Sequence, residues 1–460
     1  MLLLRRFIAA DLITPLSAFL SLRPLGASLL LESSDLGERV GRYSFVLLEG
    51  DGEVRLDAPG TGWVEALRRL SDTGPLEARR LPSPELPLIR EEPPIGVGIA
   101  GYVGFEAMGA LEPTIPPPAV NTLGLPAVWA RRFDAALVID HLHQVAELQS
   151  LCGDPERGET RLQAMEDALR RHEAPLAHVP AAKATRLTAR EDYEAAVRQV
   201  QAFILEGDVY QLVPSQRVRV DGAPPPLEAY RRLRRLNPSP YAFLLEWGDF
   251  ALVGASPEML VRVSNGEAET LPIAGTAPRG ATLEEDTARF EALKRDPKEL
   301  AEHQMLVDLA RNDLGRIAVP GGVRVEKPLA LQRTSHVLHL TTTVKATLKP
   351  GLDALDVLAS AFPAGTVSGA PKIRACRRIA ELECEARGPY GGALIRLGAD
   401  GVLDTALILR TAIYAAGAAW LQAGAGVVRA SDPRKEYLET LHKMGAVAEA
   451  LGVRLEGGKA

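Results

Sequence analysis

Three cysteines in 460 residues, Cys152, Cys376 and Cys384, are too few for a disulfide framework, and no two of them form a CxxC pair. That scarcity fits a reducing compartment and excludes a small stapled secreted fold. An excess of positive charge is missing too. With a formal net charge of −6, the chain carries no electrostatic footprint for nucleic acid, and basic runs such as residues 231–235 are short enough to be the exposed face of a helix. Long apolar runs are also absent: no stretch reaches the roughly 18 uninterrupted residues of a membrane span. The first 22 residues, MLLLRRFIAADLITPLSAFLSL, mimic a signal peptide, but Asp11 and Pro15 interrupt the apolar run and no small-residue cleavage site follows. Thr14 and Pro15 read instead as the N-cap and first residue of a short helix. The expectation is a soluble, cytoplasmic protein.

Common catalytic signatures are lacking as well. There is no GxxxxGK[ST] loop, no GxSxG elbow and no cysteine in a nucleophile-like turn. Residues 96–101, GVGIAG, satisfy GxGxxG, but they follow Glu-Glu-Pro-Pro and precede no convincing helix, so a dinucleotide site is not supported. Residues 364–372, AGTVSGAPK, resemble a phosphate loop in composition and can form an anion cradle from exposed backbone N–H groups. His336 and His339 have the i,i+3 spacing of helical zinc ligands, yet no cysteine or third histidine stands at a ligand distance in sequence. His141 and His143 fall at a hairpin turn, and Cys376 inside KIRACRRIAEL is most simply a helix-core residue.

What is present is 46% hydrophobic and 24% charged residues, the balance of an ordinary globular protein with room for several packed layers. Residues 1–150 read as β-rich, with a strand at residues 28–32 and a hairpin from FDAALVID to AELQSL. Residues 151–187 read as a charged helix, 155–172, followed by a linker rich in Pro and Ala. Residues 188–460 form the second part. Thr188 and Glu191 have capping-box spacing, and Tyr193, Ala196, Val197, Val200, Phe203 and Ile204 then keep helical periodicity until Gly207. Strand-like segments alternate afterwards with helices around 284–313. The fold class expected is α+β, with layered antiparallel or mixed sheets and flanking helices.

Two glutamate pairs stand out: Glu299 and Glu302 in DPKELAEHQ, and Glu436 and Glu439 in DPRKEYLET. If both segments are helical, each pair projects from one helix face about a turn apart. Taken alone, such pairs are solvated helix faces. Were the four carboxylates brought together, they would repel by about 4 kcal/mol per close pair at an effective surface dielectric and would need a cation, for which an all-oxygen donor set suits Mg²⁺.

The segments GDVYQLVPSQR, NPSPYAF, GASPEML, LPIAGTAPRG, KELAEHQMLVDLARND, SHVLH, FPAGTVSGAPKIRA, GPYGGA and QAGAGVV form an ordered series. This series resembles the chorismate-utilising enzymes, densely from about residue 190 to 447. LLLES at residues 29–33 and GRYSF at 41–45 extend the likeness over almost the whole chain. The resemblance implies the family's fold and a Mg²⁺-dependent reaction on chorismate. Two positions sort the branches of the family. Its water-adding members carry a general-base lysine where this chain has Gln211, and its aminodeoxychorismate-forming members carry a nucleophilic lysine where this chain has Ala274. A neutral amide cannot deprotonate water, and a methyl group cannot form a covalent adduct, so the anthranilate-forming branch is implied. Read alone, either position is an ordinary polar or small core residue. Two alternatives are an aminodeoxychorismate-forming enzyme lacking the lysine and a non-catalytic tryptophan-sensing subunit.

The same resemblance implies the site. Ammonia would replace the C4 hydroxyl by substitution at ring C2, with Glu258 as general acid and His339 assisting the later loss of pyruvate. Glu302 and Glu439 would bind Mg²⁺, with Glu299 and Glu436 acting directly or through waters. Arg410 and Tyr390 would hold the enolpyruvyl carboxylate, while Gly275, Thr276, Gly424, Ala425 and Gly426 offer backbone groups to the substrate and Thr366 a hydroxyl. Ser33, Pro240, Tyr241 and Ala242 would form a feedback site for L-tryptophan, with Ala242 where the family commonly has methionine and Ala277 where it has arginine. No glutaminase nucleophile is evident, so the resemblance implies that ammonia comes from a separate glutamine amidotransferase subunit.

Overall fold

A computed structural model of the chain describes residues 1–33, 41–57, 62–82, 92–170, 182–333 and 337–455. Several of its strands, among them Gly98–Val103, Phe250–Ser256 and Ala418–Gly424, are buried at every position, and local polar groups close its turns. The hairpin expected around residues 133–150 forms from Val128–Asp140 and Val145–Cys152, with Asp140 opposite Val145. Its turn is held by Asp140, whose Oδ1 accepts from the amides of Leu142 (3.0 Å) and His143 (3.2 Å). The short helix Pro15–Leu22 starts as expected, with Thr14 as N-cap and Ser17 completing a capping box.

Val128–Asp140 is the strand from which two wings diverge. Along one edge it pairs with Tyr43–Leu56, which leads through Ala27–Glu32, Tyr241–Trp247 and Phe250–Ser256 to Thr411–Ala415 and Ala418–Gly424. Along the other it pairs with Gly98–Val103, which leads to Ala393–Gly398 and Leu403–Leu407. Strands from residues 1–150 and from 188–460 are therefore hydrogen-bonded neighbours in one connected sheet. The wings face each other across a core in which the ring of Tyr102 lies 5.5 Å from Phe250 and that of Trp129 lies 5.1 Å from Trp247. The fold is α+β.

Helices cover the outer faces. Arg190–Leu205 buries Tyr193, Val197, Val200 and Phe203, the predicted stripe. Its start corrects one expectation: the N-cap is Ala189, no side chain caps it, and Thr188 forms no capping box, because the helix begins one residue too late for that spacing. The linker reading of residues 173–187 is corrected at its end, where Lys183–Arg186 is a strand paired with Ser215–Asp221. Residues 171–181 lie outside the described residues. Residues 231–235 lie on Pro226–Leu236, as read, and Cys376 is buried in Lys372–Leu382. GVGIAG is the start of a buried strand rather than a loop before a helix. Among the described residues, no helix is long and apolar enough to cross a membrane.

Candidate active site

Glu258 follows the buried strand Phe250–Ser256 and is anchored through its own carbonyl, which accepts from Leu407 N at 2.9 Å. The residue keeps some exposed surface, but its carboxylate lies deep, and that burial pushes its pKa up to about 7. Thr366 Oγ1 donates to Glu258 Oε1 at 2.9 Å and, with the charges of Lys443 and Arg410, pulls partly the other way. Thr366 comes from the AGTVSGAPK segment, so that loop supplies a hydroxyl to the candidate acid. Burial dominates, and the carboxyl can hold its proton near neutrality.

His339 lies on the strand Val337–Leu348. Leu338 and Leu340 face the core on either side of it, a period of two, so the helical spacing noted for SHVLH is not realised. His336 lies outside the described residues. Opposite His339, the strand Ile273–Pro278 bulges at Gly275, which sits at φ +73° between Ala274 paired with Leu340 and Thr276 paired with His339. The bulge brings the Gly275 carbonyl to 3.2 Å from His339 Nδ1, with Thr276 Oγ1 also at 3.2 Å. A carbonyl only accepts, so Nδ1 carries the hydrogen and Nε2 is left as the base. Burial, the largest cause, lowers the imidazole pKa and keeps it neutral.

Arg410 lies in the apolar stretch TALILRTAIY, between the strands Leu403–Leu407 and Thr411–Ala415. It takes φ +48°, a left-handed conformation that costs an L side chain roughly 1–2 kcal/mol. Its guanidinium has no hydrogen-bond or ion-pair partner among the described residues, and burial lowers its pKa while Glu258 opposes that. A buried guanidinium with no described partner has its donors free for an anion. Tyr390 approaches the same turn, since Gly391 N donates to Ile408 O at 3.1 Å. Its buried phenol is pushed up to about 12 and stays neutral.

Gln211, on the short strand Gln211–Leu212, meets the QAGAGVV segment: Val427 N donates to Leu212 O at 2.8 Å, and a Cβ at Gly426 would collide with the Gln211 amide. Gly424 is equally constrained, because a Cβ there would stand 2.7 Å from Pro214 O and 3.2 Å from the Tyr390 hydroxyl. Between these two glycines, the Ala425 N–H donates to Pro214 O at 3.3 Å, which continues the strand contact. Ala274 lies on the same strand as Gly275, paired with Leu340.

Both glutamate pairs lie on helices, Pro297–Gly315 and Pro433–Ala450, which open alike. Each has an aspartate N-cap, Asp296 or Asp432, then proline, then glutamate in the first turn. Burial raises the pKa of Glu302, and the charges of Glu299 and Glu439 raise it further; burial also raises that of Glu436, with Glu439 adding. Carboxylates of the two helices are thus within electrostatic reach. Glu299 Oε2 also lies 3.4 Å from where a Gly275 Cβ would be, which links the first helix to the bulge beside His339. Among the described residues, however, no three His, Cys, Asp or Glu side chains already stand together as a metal-binding group. Two lysines neutralise the pairs instead: Lys298 Nζ lies 3.7 Å from Glu302 Oε1 and Lys443 Nζ 2.7 Å from Glu439 Oε1. The all-oxygen donor set fits Mg²⁺, which commonly takes one or two protein carboxylates and fills its shell with waters and an anionic substrate.

Lys443 is a residue that the sequence reading missed. Its Nζ also donates to Gly424 O at 3.0 Å and acts on Glu258 through charge, so it ties the QAGAG turn to the second glutamate helix. The signal was its i,i+4 distance from Glu439. Elsewhere, Ser33, Pro240, Tyr241 and Ala242 all line one cavity of about 610 Å³, with Tyr43 and Phe45 of GRYSF. The Ser33 hydroxyl is buried there without a hydrogen-bond partner among the described residues.

The chain belongs to the chorismate binding enzyme family, which it matches over residues 35–449. Within that class it is similar to anthranilate synthase component 1 of Thermus thermophilus, 42% identical over 97% of both chains, and to that of Pseudomonas aeruginosa, 39% identical over 96% of this chain and 94% of the relative. Among solved structures it resembles anthranilate synthase component I from Streptococcus pneumoniae, with a TM-score of 0.79, 34% identity and coverage of 90% and 93%. The Escherichia coli menaquinone-specific isochorismate synthase MenF shares the fold at 19% identity, with a TM-score of 0.73 over 98% of this chain and 94% of that one.

Proposed function

We propose that this chain converts chorismate and ammonia into anthranilate and pyruvate, drawing the ammonia from a separate glutamine amidotransferase subunit, with L-tryptophan as a feedback inhibitor. The observation that carries the reading is the pairing of a buried, protonatable Glu258 with a neutral His339, in a site with no lysine at position 211 or 274. Glu258 gives its proton to the departing C4 hydroxyl, which leaves as water while the ammonia nitrogen bonds to ring C2. His339 Nε2 then takes the proton from C2, the ring becomes aromatic, and the C3–O bond breaks to release pyruvate. Gln211, an amide, leaves ammonia rather than water as the nucleophile, and Ala274 offers no covalent route. Arg410 and Tyr390 hold the enolpyruvyl carboxylate, the guanidinium by paired donors. Glu302 and Glu439 would hold Mg²⁺, with Glu299 and Glu436 beside them, and the ion when bound would neutralise the ring carboxylate. The buried Ser33 hydroxyl, without a partner among the described residues, and the volume of its cavity support a small amino-acid ligand there.

Product identity tests the reading. Purified chain given chorismate, Mg²⁺ and ammonium is expected to form anthranilate. Accumulation of 4-amino-4-deoxychorismate, or an inert chain that only binds tryptophan, would overturn it.

A further inference from the structure

Arg387 is 1% exposed and, apart from a ring contact with Tyr390, its side chain touches no group assigned to chemistry. Its guanidinium is instead spread over three chain segments that carry them. Nη2 donates to Val213 O at 2.7 Å, two residues beyond Gln211, and Nη1 donates to Val367 O at 2.7 Å, the residue after Thr366. Nε and Nη2 close a bidentate pair with Glu383, at 2.7 and 2.6 Å. Glu383 Oε1 in turn accepts from Ser215 N at 2.7 Å, at the residue whose strand partner is Gly424. The backbone of the same arginine is fixed too, because its N–H and that of Gly388 donate to the two oxygens of Glu106 at 2.7 and 3.0 Å. Tyr390 stands three residues further on, its ring centroid 5.7 Å from the Arg387 guanidinium carbon.

Lysine could keep the charge at this position but not the geometry. Four donor contacts in fixed directions require the planar fork of a guanidinium, whereas an ammonium is a point charge on a flexible stem. We infer that Arg387 is a positioning residue: held by Glu383 and Glu106, it sets the mutual register of the segments bearing Gln211, Thr366 and Tyr390. The inference rests on the reading of those three residues as substrate-facing. Loss of the fork lets each segment shift by a fraction of an ångström, and displacement on that scale is costly to a reaction that depends on alignment.

The test compares Arg387→Lys with Arg5→Lys in the full chain. Arg5 is a similarly buried arginine whose partners, Glu147, Glu92 and Pro93 O, lie in the N-terminal part. Both variants are expected to remain folded and to lose thermal stability. Arg387→Lys should lower kcat for anthranilate formation by about 100-fold with little change in KM for chorismate, while Arg5→Lys keeps its kcat. Hydrogen exchange, which needs no turnover, should show faster exchange at residues 211–215, 365–367 and 388–390 only in Arg387→Lys. If Arg387→Lys does not fold, Glu383→Gln is measured in its place and should give the same pattern more weakly. Unchanged kcat and unchanged exchange in a folded variant, or equal losses in the two arginine variants, would overturn the inference. A wild-type chain that makes no anthranilate would instead overturn the proposed function, and the exchange comparison would still decide the role of Arg387.

Discussion

Thr366 Oγ1 stands 2.9 Å from Glu258 Oε1 and donates to it, although the carboxyl it holds is pushed up to about 7 by burial. The bond favours the ionised form and burial the neutral one, and burial prevails. The result is a carboxyl that is oriented and still able to give up a proton near neutral pH.

Glu258→Gln removes the transferable proton without changing shape. It is expected to lower kcat by about 10²–10⁴-fold with little change in unfolding temperature. Because the folded-state pKa is raised, Glu258 stabilises the fold most below the ordinary carboxylate range, and this contribution is lost as pH rises through about 7. In the same window kcat/KM for chorismate, measured at constant free ammonia, should fall with rising pH in the wild type. A flat profile through that range would remove Glu258 as the acid.

Arg410→Gly should separate stability from activity. Glycine accepts φ +48° without the roughly 1–2 kcal/mol strain, so thermal unfolding should show no loss of stability, while KM for chorismate rises sharply. A large drop in stability would assign Arg410 to the scaffold.

Gly275→Ala meets the opposite problem. A methyl group would stand 3.1 Å from Leu340 Cδ1 at a backbone angle of +73°, costing about 1–2 kcal/mol and shifting the carbonyl that sets the His339 tautomer. Denaturant unfolding should show that loss and turnover should fall; full activity would mean that the bulge does not orient His339.

L-Tryptophan should raise the unfolding temperature of the chain, since a ligand at 100 times its Kd adds about 2.7 kcal/mol. Ser33→Ala should reduce that shift by removing the buried hydroxyl. Tryptophan without effect on unfolding would leave the 610 Å³ cavity to another ligand.

The elements that carry several candidate residues were legible because chemistry and secondary structure coincide in short motifs. Glu299 with Glu302 and Glu436 with Glu439 sit on helices because each follows an Asp-Pro start, and Glu258 sits after a strand whose residues are all buried. The misses have local causes. SHVLH shows i,i+3 spacing, but Leu338 and Leu340 decide its period, so His339 is on a strand. Arg410 occupies a left-handed break within an apolar run that reads as one strand, and no sequence signal marks a non-glycine residue there. Lys443 and Arg387 act through groups distant in the chain, Gly424 O for one and Val213 O with Val367 O for the other, and such long-range carbonyl contacts leave no local pattern.

The most direct measurement is anthranilate fluorescence from the isolated chain with chorismate and ¹⁵N-ammonium, with Mg²⁺ or with a chelator, for the wild type and for Glu302→Gln. The wild type with Mg²⁺ is expected to give ¹⁵N-anthranilate, and neither the wild type with the chelator nor a folded Glu302→Gln chain should give any. Absence of anthranilate from the wild type, or undiminished turnover in Glu302→Gln, would contradict the proposed function.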